Sequence, residues 1–441
     1  MRRNNSFWYH EISSEEEPSG MAGSRCLAAL FVIFFIVPIV SFLLLLGAFF
    51  YLSSGDNPYT TEALVKAAGY PYEAYDKKEK KVVLVQPGMM MDSACFVSML
   101  PEQSLGFILA NANLDVWLGN TRGTAYGRRH TTRSVDEPTF WDWSWETVAD
   151  HELPAIIDFV LNATGSPHLY YVGNSQSGLV AMALLSTRPD YNHKIRGYYA
   201  MAPAGSLSRV KGPLKDITPI RHLVNLHDEL SGPSGVFHRG RLNGLLRSLC
   251  KWSFLHSFCE RIFYHNGGPP SNQLNYTQLP IFYSNYPDGS STKNNRHFSQ
   301  MMVEKRTARF DYGPRENMRR YGTLHSPSYN FSRISVPMYL WYSPSDALVG
   351  EEDVVEELVP QLQSNAVKQL TSVPDYNHFD FHWGLRAGKE IYTPIAELIV
   401  NAEEEPSTEA PQSLPVEGKK KEKRAAAEAF LAKDQCITVE E

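Results

Sequence analysis

The chain has 441 residues and a formal net charge of −6, with acidic and basic residues mixed along most of its length. Basic residues gather only in two short runs, KKEKK at residues 77–81 and KKKEKR at residues 419–424, so the charge pattern gives no indication of nucleic-acid binding. The five cysteines include no C-x-x-C pair, and the histidines form no cluster, so we expect no structural metal.

A long apolar segment lies near the amino terminus. Residues 27–52 contain no charged side chain in 26 residues. As a helix rising ~1.5 Å per residue, the segment would exceed the ~30 Å hydrocarbon core of a bilayer, and the apolar part of a signal peptide is usually only ~7–15 residues long. We therefore predict a single transmembrane helix over residues 27–52.

The charges around this segment predict its orientation. Three arginines precede it, whereas the first basic residue after it is Lys66. By the positive-inside rule, residues 1–26 are cytosolic and the following domain is lumenal or extracellular, as in a single-pass protein of the endomembrane system or cell surface. The alternative is initiation at Met21 and cleavage of a signal peptide, which would give a secreted or lysosomal protein.

A serine lies between an apolar strand and an apolar helix. The predicted strand, residues 168–172, is followed by GNSQSG and by a predicted helix over residues 179–185. A serine on such a sharp turn, here Ser175, is typical of the nucleophile elbow of α/β-hydrolases, whose usual signature is G-x-S-x-G. The second glycine is displaced by one place to Gly178. The alternative is a serine that merely caps the helix.

An acid and a base follow in the order that such a triad requires. Asp346 follows a predicted strand at residues 336–342, and His378 follows another at residues 369–373. The order Ser, Asp, His is that of α/β-hydrolases, and their catalytic groups follow strands of the sheet. Imidazole can take the serine proton near neutral pH, and the carboxylate orients the imidazole.

The region between the predicted strands ending near residue 202 and starting at residue 336 is rich in aromatic side chains. A loop of this size without secondary structure would be unusual, so we predict a mostly helical cap over about residues 205–325. Its aromatic residues are Phe237, Trp252, Phe254, Phe258, Phe263, Tyr264, Tyr276, Phe282, Tyr283, Tyr286, Phe298 and Phe310. We predict one domain over residues 57–401 and a disordered polar tail over residues 402–441.

Several stretches resemble the acid lipases, the family of gastric and lysosomal lipases and related steryl-ester hydrolases. These stretches are DVWLGNTRGTAYGRRH, ELPAIIDFVL, YYVGNSQSG, QLNYTQLPIFYSNYPDGSSTKN, FDYGPRENMRRYG and PDYNHFDFHWG. The resemblance spans about residues 57–400 and implies an α/β-hydrolase fold with a helical cap and a lid that moves at a lipid surface.

The resemblance also implies an activity and a set of site residues. The nucleophile, acid and base fall on Ser175, Asp346 and His378. The oxyanion donors fall on the backbone N–H groups of Met89 and Gln176. The implied reaction is hydrolysis of carboxylic esters of neutral lipids, triacylglycerols or steryl esters, in lipid catabolism and without a cofactor.

Covalent modifications are also expected on the lumenal side. The resembling lipases carry a disulfide at the spacing of Cys250 and Cys259, and two buried thiols are the alternative. Three N-x-S/T sequons, at Asn162, Asn275 and Asn330, are predicted glycosylation sites.

Departures from the family concentrate near the predicted nucleophile. Pro87 and Asn174 stand where the family usually has histidine, and Ser177 replaces the elbow glycine. We expect Ser177 to crowd the turn, since overpacking typically costs ~1–3 kcal/mol. The region before Lys80 is also shorter than in the family. The alternative function is a catalytically impaired homologue that binds lipid or a protein partner.

Overall fold

The computed structural model describes residues 37–52, 56–70, 80–211 and 221–403, and the chain divides into two compact units, Met1–Ser54 and Gly55–Glu441. The first unit contributes helix α1, Val37–Leu52. Within the described residues, no helix has both the length and the apolar character needed to cross a membrane. Residues 27–36 of the predicted span, and residues 404–441 of the predicted tail, lie outside the described part.

The second unit is built on a parallel sheet. Six strands pair in the order β2-β1-β3-β4-β7-β8, and every pairing is parallel. The strands are β1 Val82–Gln86, β2 Asp115–Leu118, β3 Leu169–Asn174, β4 Ile195–Met201, β7 Met338–Tyr342 and β8 Val367–Ser372. The short strands β5 Gly235–Val236 and β6 Ser290–Ser291 form a separate antiparallel pair. β1 and β3 are buried along their whole length, as expected for the centre of a sheet covered on both faces.

Helices connect and cover these strands. Before β7 they are α2 Thr61–Ala67, α3 Leu105–Asn111, α4 Trp145–Thr147, α5 Leu153–Thr164, α6 Gln176–Thr187, α7 Arg221–Ser231, α8 Arg241–Leu249, α9 His256–Gly267, α10 Leu279–Asn285, α11 Thr292–Glu304 and α12 Pro314–Tyr321. After β7 follow α13 Asp380–Trp383 and α14 Thr393–Val400. Short 3-10 and π-helical turns complete the connections.

The predicted α/β fold class is confirmed, with small shifts at the ends of elements. The strand predicted at residues 168–172 extends to Asn174, and the helix predicted at residues 179–185 starts at Gln176. The strands predicted before the acid and the base are β7 and β8. The shortened segment noted before Lys80 falls largely on residues 71–79, which the structure does not describe.

The insertion between β4 and β7 is mostly helical, as predicted, with residues 212–220 outside the described part. Some of its aromatic rings pack against the segment that carries His378. Phe263 lies 4.8 Å from Phe379 between ring centroids, and Phe282 lies 4.9 Å from Trp383. The cap is thus joined through an aromatic core to the segment that carries His378.

The register of the central strands brings their carboxyl ends together. Gln86 of β1 is paired with Gly173 of β3, and Asn174 is paired with Met201 of β4. Ligands of open parallel sheets bind at this edge, so the loops that follow these strands define the candidate site.

Candidate active site

Ser175 occupies a strained turn between β3 and α6. Its backbone angles are φ 52° and ψ −118°, a positive-φ conformation that is rare for serine. Such conformations cost of order 1–3 kcal/mol and persist only when the surrounding structure holds them. Here Ser175 N–H donates to Met201 O at 3.0 Å, and Ala204 N–H donates to Ser175 O at 3.3 Å. The side chain is only half-buried, as a nucleophile requires.

The glycines on either side of the serine permit close packing of the turn. A Cβ on Gly173 would lie 2.9 Å from the ring of Tyr171, and one on Gly178 would lie 3.1 Å from Tyr198 Oη. The Tyr198 hydroxyl also donates to Gly178 O at 3.0 Å. The displaced second glycine therefore allows α6 to approach β4 closely.

The acid and the base are in direct contact. His378 Nδ1 lies 2.7 Å from Asp346 Oδ2, and both side chains are buried. The other carboxylate oxygen of Asp346 accepts the N–H groups of Leu348 and Val349 at 2.8 and 2.9 Å. With Nδ1–H donating to the carboxylate, Nε2 of His378 is the nitrogen that can accept a proton.

One backbone carbonyl of the cap joins the acid loop to the base loop. Gly267 O, at the end of α9, accepts Ala347 N–H at 3.1 Å and His378 N–H at 2.9 Å. A Cβ on the next residue, Gly268, would lie 2.4 Å from Ser345 O. Cap backbone therefore packs directly on both loops and fixes their relative position.

The predicted oxyanion donors lie on the two loops beside Ser175. A Cβ on Gly88 would lie 3.2 Å from Ser175 Cβ, which places the loop carrying Met89 against the nucleophile. Gln176 is the first residue of α6, and its Oε1 accepts Asn294 Nδ2–H at 2.8 Å. Asn294 is fully buried and also accepts Trp145 N–H at 2.7 Å.

The cap also contacts the loop of Met89. Asp288 N–H donates to Met90 O at 2.7 Å, and Arg239 Nη2 donates to Asp288 Oδ2 at 3.1 Å. Arg239 forms a second ion pair with Asp92, which follows the same loop. Burial raises the pKa of Asp288, although Arg239 opposes this shift.

The hydroxyl of Ser177 has hydrogen-bond partners on both sides of the elbow. Its buried hydroxyl accepts Asn174 N–H at 2.8 Å and lies 2.7 Å from Gln86 O, to which it donates. Asn174 O is a further acceptor at 2.9 Å. These hydrogen bonds satisfy the buried hydroxyl, and the cost of crowding stays a prediction.

Asn174 links the nucleophile turn to the segment of the base. Its Oδ1 lies 2.7 Å from His382 Nε2, and its Nδ2 donates to Met201 O at 3.1 Å. Because the amide oxygen can only accept, His382 Nε2 is the donor. Burial lowers the pKa of His382 to about 3, so this histidine is neutral and keeps that donor at neutral pH.

A buried carboxylate neighbours the base. Asp380 Oδ2 accepts Asn377 N–H at 2.8 Å, two residues from His378. Burial raises the pKa of Asp380 to about 7. Its protonation therefore changes in the range where esterases are assayed.

The other predicted positions are distributed over the second unit. A disulfide joins Cys250 to Cys259 between α8 and α9, with the Cα atoms 6.0 Å apart. Among the sequon asparagines, Asn162 and Asn330 are exposed and Asn275 is half-buried. In the part of the chain that the structure describes, no group of three or more His, Cys, Asp or Glu side chains could hold a metal ion.

Several supporting residues were missed by the sequence reasoning. Asn294, His382 and Asp380 lie within stretches that carry the family resemblance, so their motifs were an available signal. Gly267 acts through its backbone carbonyl, which every residue has, so the residue type at this position gave no signal.

A strained serine elbow at the carboxyl edge of a parallel sheet, together with a paired aspartate and histidine, is the arrangement of α/β-hydrolases. The α/β-hydrolase fold family matches residues 81–385 of the chain. The protein is therefore an α/β-hydrolase.

Relatives narrow this class. Lipase lipl-1 of Caenorhabditis elegans is 37% identical over 332 residues, covering 73% of this chain and 81% of that protein. Gastric triacylglycerol lipase of Bos taurus is 32% identical over 323 residues, covering 73% and 80%. Lipase member K of Homo sapiens is 30% identical over 390 residues, covering 81% and 96%. The chain belongs to the acid lipase family of carboxylic ester hydrolases.

Proposed function

We propose that the protein hydrolyses esters of neutral lipids, triacylglycerols or steryl esters, through Ser175, His378 and Asp346. The observation that carries this proposal is the 2.7 Å contact between His378 Nδ1 and Asp346 Oδ2, at the sheet edge where Ser175 holds its positive-φ turn. The names of the lipase relatives support the substrate class.

In the proposed reaction, Ser175 Oγ attacks the ester carbonyl while His378 Nε2 takes the hydroxyl proton. The backbone N–H groups of Met89 and Gln176 donate to the oxyanion of the tetrahedral intermediate. His378 then protonates the leaving alcohol, which leaves an acyl group on Ser175. Water attacks this acyl-enzyme in the same manner and releases the fatty acid.

The apolar surface of the cap is consistent with an acyl substrate. Trp252 and Phe254 are 60% and 78% exposed, and Phe258 is 52% exposed. Exposed apolar side chains of this kind suit contact with a lipid surface.

The test is hydrolysis of emulsified trioleoylglycerol and cholesteryl oleate by wild type and Ser175→Ala. We expect wild type to release oleate from at least one of them and the variant to fall to background. Equal rates in both proteins would contradict the serine mechanism. A wild type inactive on both esters would favour a lipid- or protein-binding homologue.

We also propose that residues 27–52 anchor the protein in a membrane of the endomembrane system or cell surface, with the hydrolase unit lumenal and glycosylated. The proposal rests on the uncharged segment and on the charge asymmetry around it. Alkaline carbonate should then leave the protein in the membrane, and glycosidase should lower its apparent mass. Release by carbonate would favour signal cleavage, and an unglycosylated chain would contradict the lumenal orientation.

A further inference from the structure

Ser177 is a buried hydroxyl that the proposed reaction does not use. It lies in the first turn of α6, two residues after Ser175, and is 1% exposed. A buried hydroxyl offers one proton and two acceptor sites. Ser177 accepts from Asn174 N–H at 2.8 Å and donates its one proton to Gln86 O at 2.7 Å, the shorter of its two acceptor contacts.

These partners lie on the two segments that meet at the nucleophile. Gln86 is the last residue of β1, and the loop with Gly88 and Met89 begins directly after it. Asn174 is the last residue of β3 and immediately precedes Ser175. The single hydroxyl therefore connects the base of one oxyanion loop to the base of the elbow.

A second side chain supports this connection. Tyr171 Oη lies 2.9 Å from Ser177 O and 3.1 Å from Gln86 Oε1, and its ring is fully buried. Tyr171, Ser177 and Gln86 thus form one contact group at the ends of β1 and β3. The hydrogen bonds that these three side chains make in the described structure go to one another, to Asn174 and to backbone beside the elbow, and none goes to Asp346 or His378.

The distance between the two segments matters because both carry an oxyanion donor. Stabilisation of a tetrahedral oxyanion depends on N–H groups held at hydrogen-bond distance before the reaction starts. The donors of Met89 and Gln176 belong to different loops, so a bond that fixes one loop against the other fixes the spacing of the donors. Loss of such a bond should therefore weaken the stabilisation of the transition state more than the binding of the ester.

We propose that Ser177 is a positioning residue that holds the oxyanion loop and the nucleophile elbow at their working separation. Ser177 stands at the position where the usual elbow signature, G-x-S-x-G, has its second glycine. The inference rests on the proposed function, since it assigns Ser177 a role in that same hydrolysis.

The test compares Ser177→Ala with Ser186→Ala. Ser186 lies on the same helix, is 2% exposed and donates to Ala183 O at 2.9 Å, so both variants remove one buried hydroxyl. We expect Ser177→Ala to lower kcat at least about tenfold with KM within twofold of wild type. Ser186→Ala should keep both constants within twofold, although both variants lose thermal stability.

Two further variants test the same positioning role. Ser177→Gly restores the usual glycine and should also lower kcat. A rise in kcat, or an unchanged kcat in Ser177→Ala, would overturn the positioning role. If Ser177→Ala does not fold, Tyr171→Phe removes the neighbouring hydroxyl instead, and we expect a smaller fall in kcat, with an unchanged kcat overturning the inference.

Failure of the function itself is a separate outcome. A wild type that hydrolyses no ester, or a Ser175→Ala variant that hydrolyses at the wild-type rate, overturns the proposed function and the role of Ser177 together. Hydrolysis that depends on Ser175 but not on Ser177 overturns the positioning role alone.

Discussion

The two sides of the site are held together by different kinds of atoms. On the base side, backbone groups predominate: Gly267 O joins the two loops, and the N–H groups of Leu348 and Val349 hold Asp346. On the nucleophile side, side-chain bonds of Ser177 and Asn174 to neighbouring strands add to the backbone bonds of Ser175. Backbone contacts tolerate changes of residue type, whereas side-chain contacts depend on the residue present. Asn174 and Ser177, two of the departures from the family, are among these side chains.

The largest effect on kcat is expected from changing Asp346, the charged partner of His378. Asp346→Asn keeps an acceptor for Leu348 and Val349 but removes the charge that orients and stabilises protonated His378. We expect kcat to fall by about 10⁴, with the fold retained. Ester hydrolysis and circular dichroism check this, with the exposed Asp158→Asn as control. A fall below tenfold would show that His378 works without this partner.

A smaller effect should follow from disturbing the oxyanion loop. An alanine at position 88 would place its Cβ 3.0 Å from Asn174 Oδ1 and 3.2 Å from Ser175 Cβ, so the loop or these neighbours must give by a few tenths of an ångström. Loss of one oxyanion donor costs about 10²–10³ in kcat, which is the expected fall for Gly88→Ala.

The control for that variant is a glycine at the end of the adjacent strand. A Cβ on Gly119 would lie 3.5 Å from its nearest neighbours, which is ordinary contact. Gly119→Ala should therefore leave kcat within about twofold, since it shifts no donor. Equal losses in both variants would indicate a general effect on the sheet edge.

The smallest effect concerns pH and lies beside the base. Burial raises the pKa of Asp380 from 3.8 to about 7, so the folded state binds more protons than the unfolded state between these values. The contribution of Asp380 to stability is therefore present below pH 4 and is lost as the pH rises through 7. Burial lowers the pKa of His382 to about 3, so its contribution to stability is lost as the pH falls, and this holds in wild type and variant alike.

Asp380→Asn removes this pH-dependent contribution to stability. From pH 5 to pH 7, the Tm of wild type should therefore fall by about 2–4 °C more than the Tm of the variant. Thermal unfolding of both proteins at the two pH values measures the difference. Asp375→Asn, an exposed aspartate five residues earlier, is the control. An unchanged or reversed difference would contradict the raised pKa of Asp380.

Local sequence patterns predicted the elements and the reacting groups of the site. Apolar runs indicated β3, β7 and β8, and the order of Ser175, Asp346 and His378 placed these residues after strands. Each apolar run lies a few residues before the group that follows it, whereas the order of the three groups is read over a long stretch of the chain. The ends of the elements were less accurate, because α6 begins inside the motif itself.

Long-range pairings were not predictable in this way. The contact between Asn174 and His382 joins residues separated by 208 positions, and that between Ser177 and Gln86 spans 91. The first depends on how α13 packs beside the end of β3, and the second on the pairing of β1 with β3, neither of which the sequence pattern specifies. Ser177 was therefore interpreted from its volume alone, and its acceptors became visible only in the folded chain.

The most direct measurement is covalent labelling by a fluorophosphonate probe, which reacts with an activated serine whatever the ester substrate. Wild type and Ser175→Ala would be labelled at neutral pH, and the modified peptide would be identified by mass spectrometry. We expect labelling of wild type at Ser175 and none of the variant. Absence of labelling in folded wild type, or equal labelling of both proteins, would contradict the claim that Ser175 is the activated nucleophile.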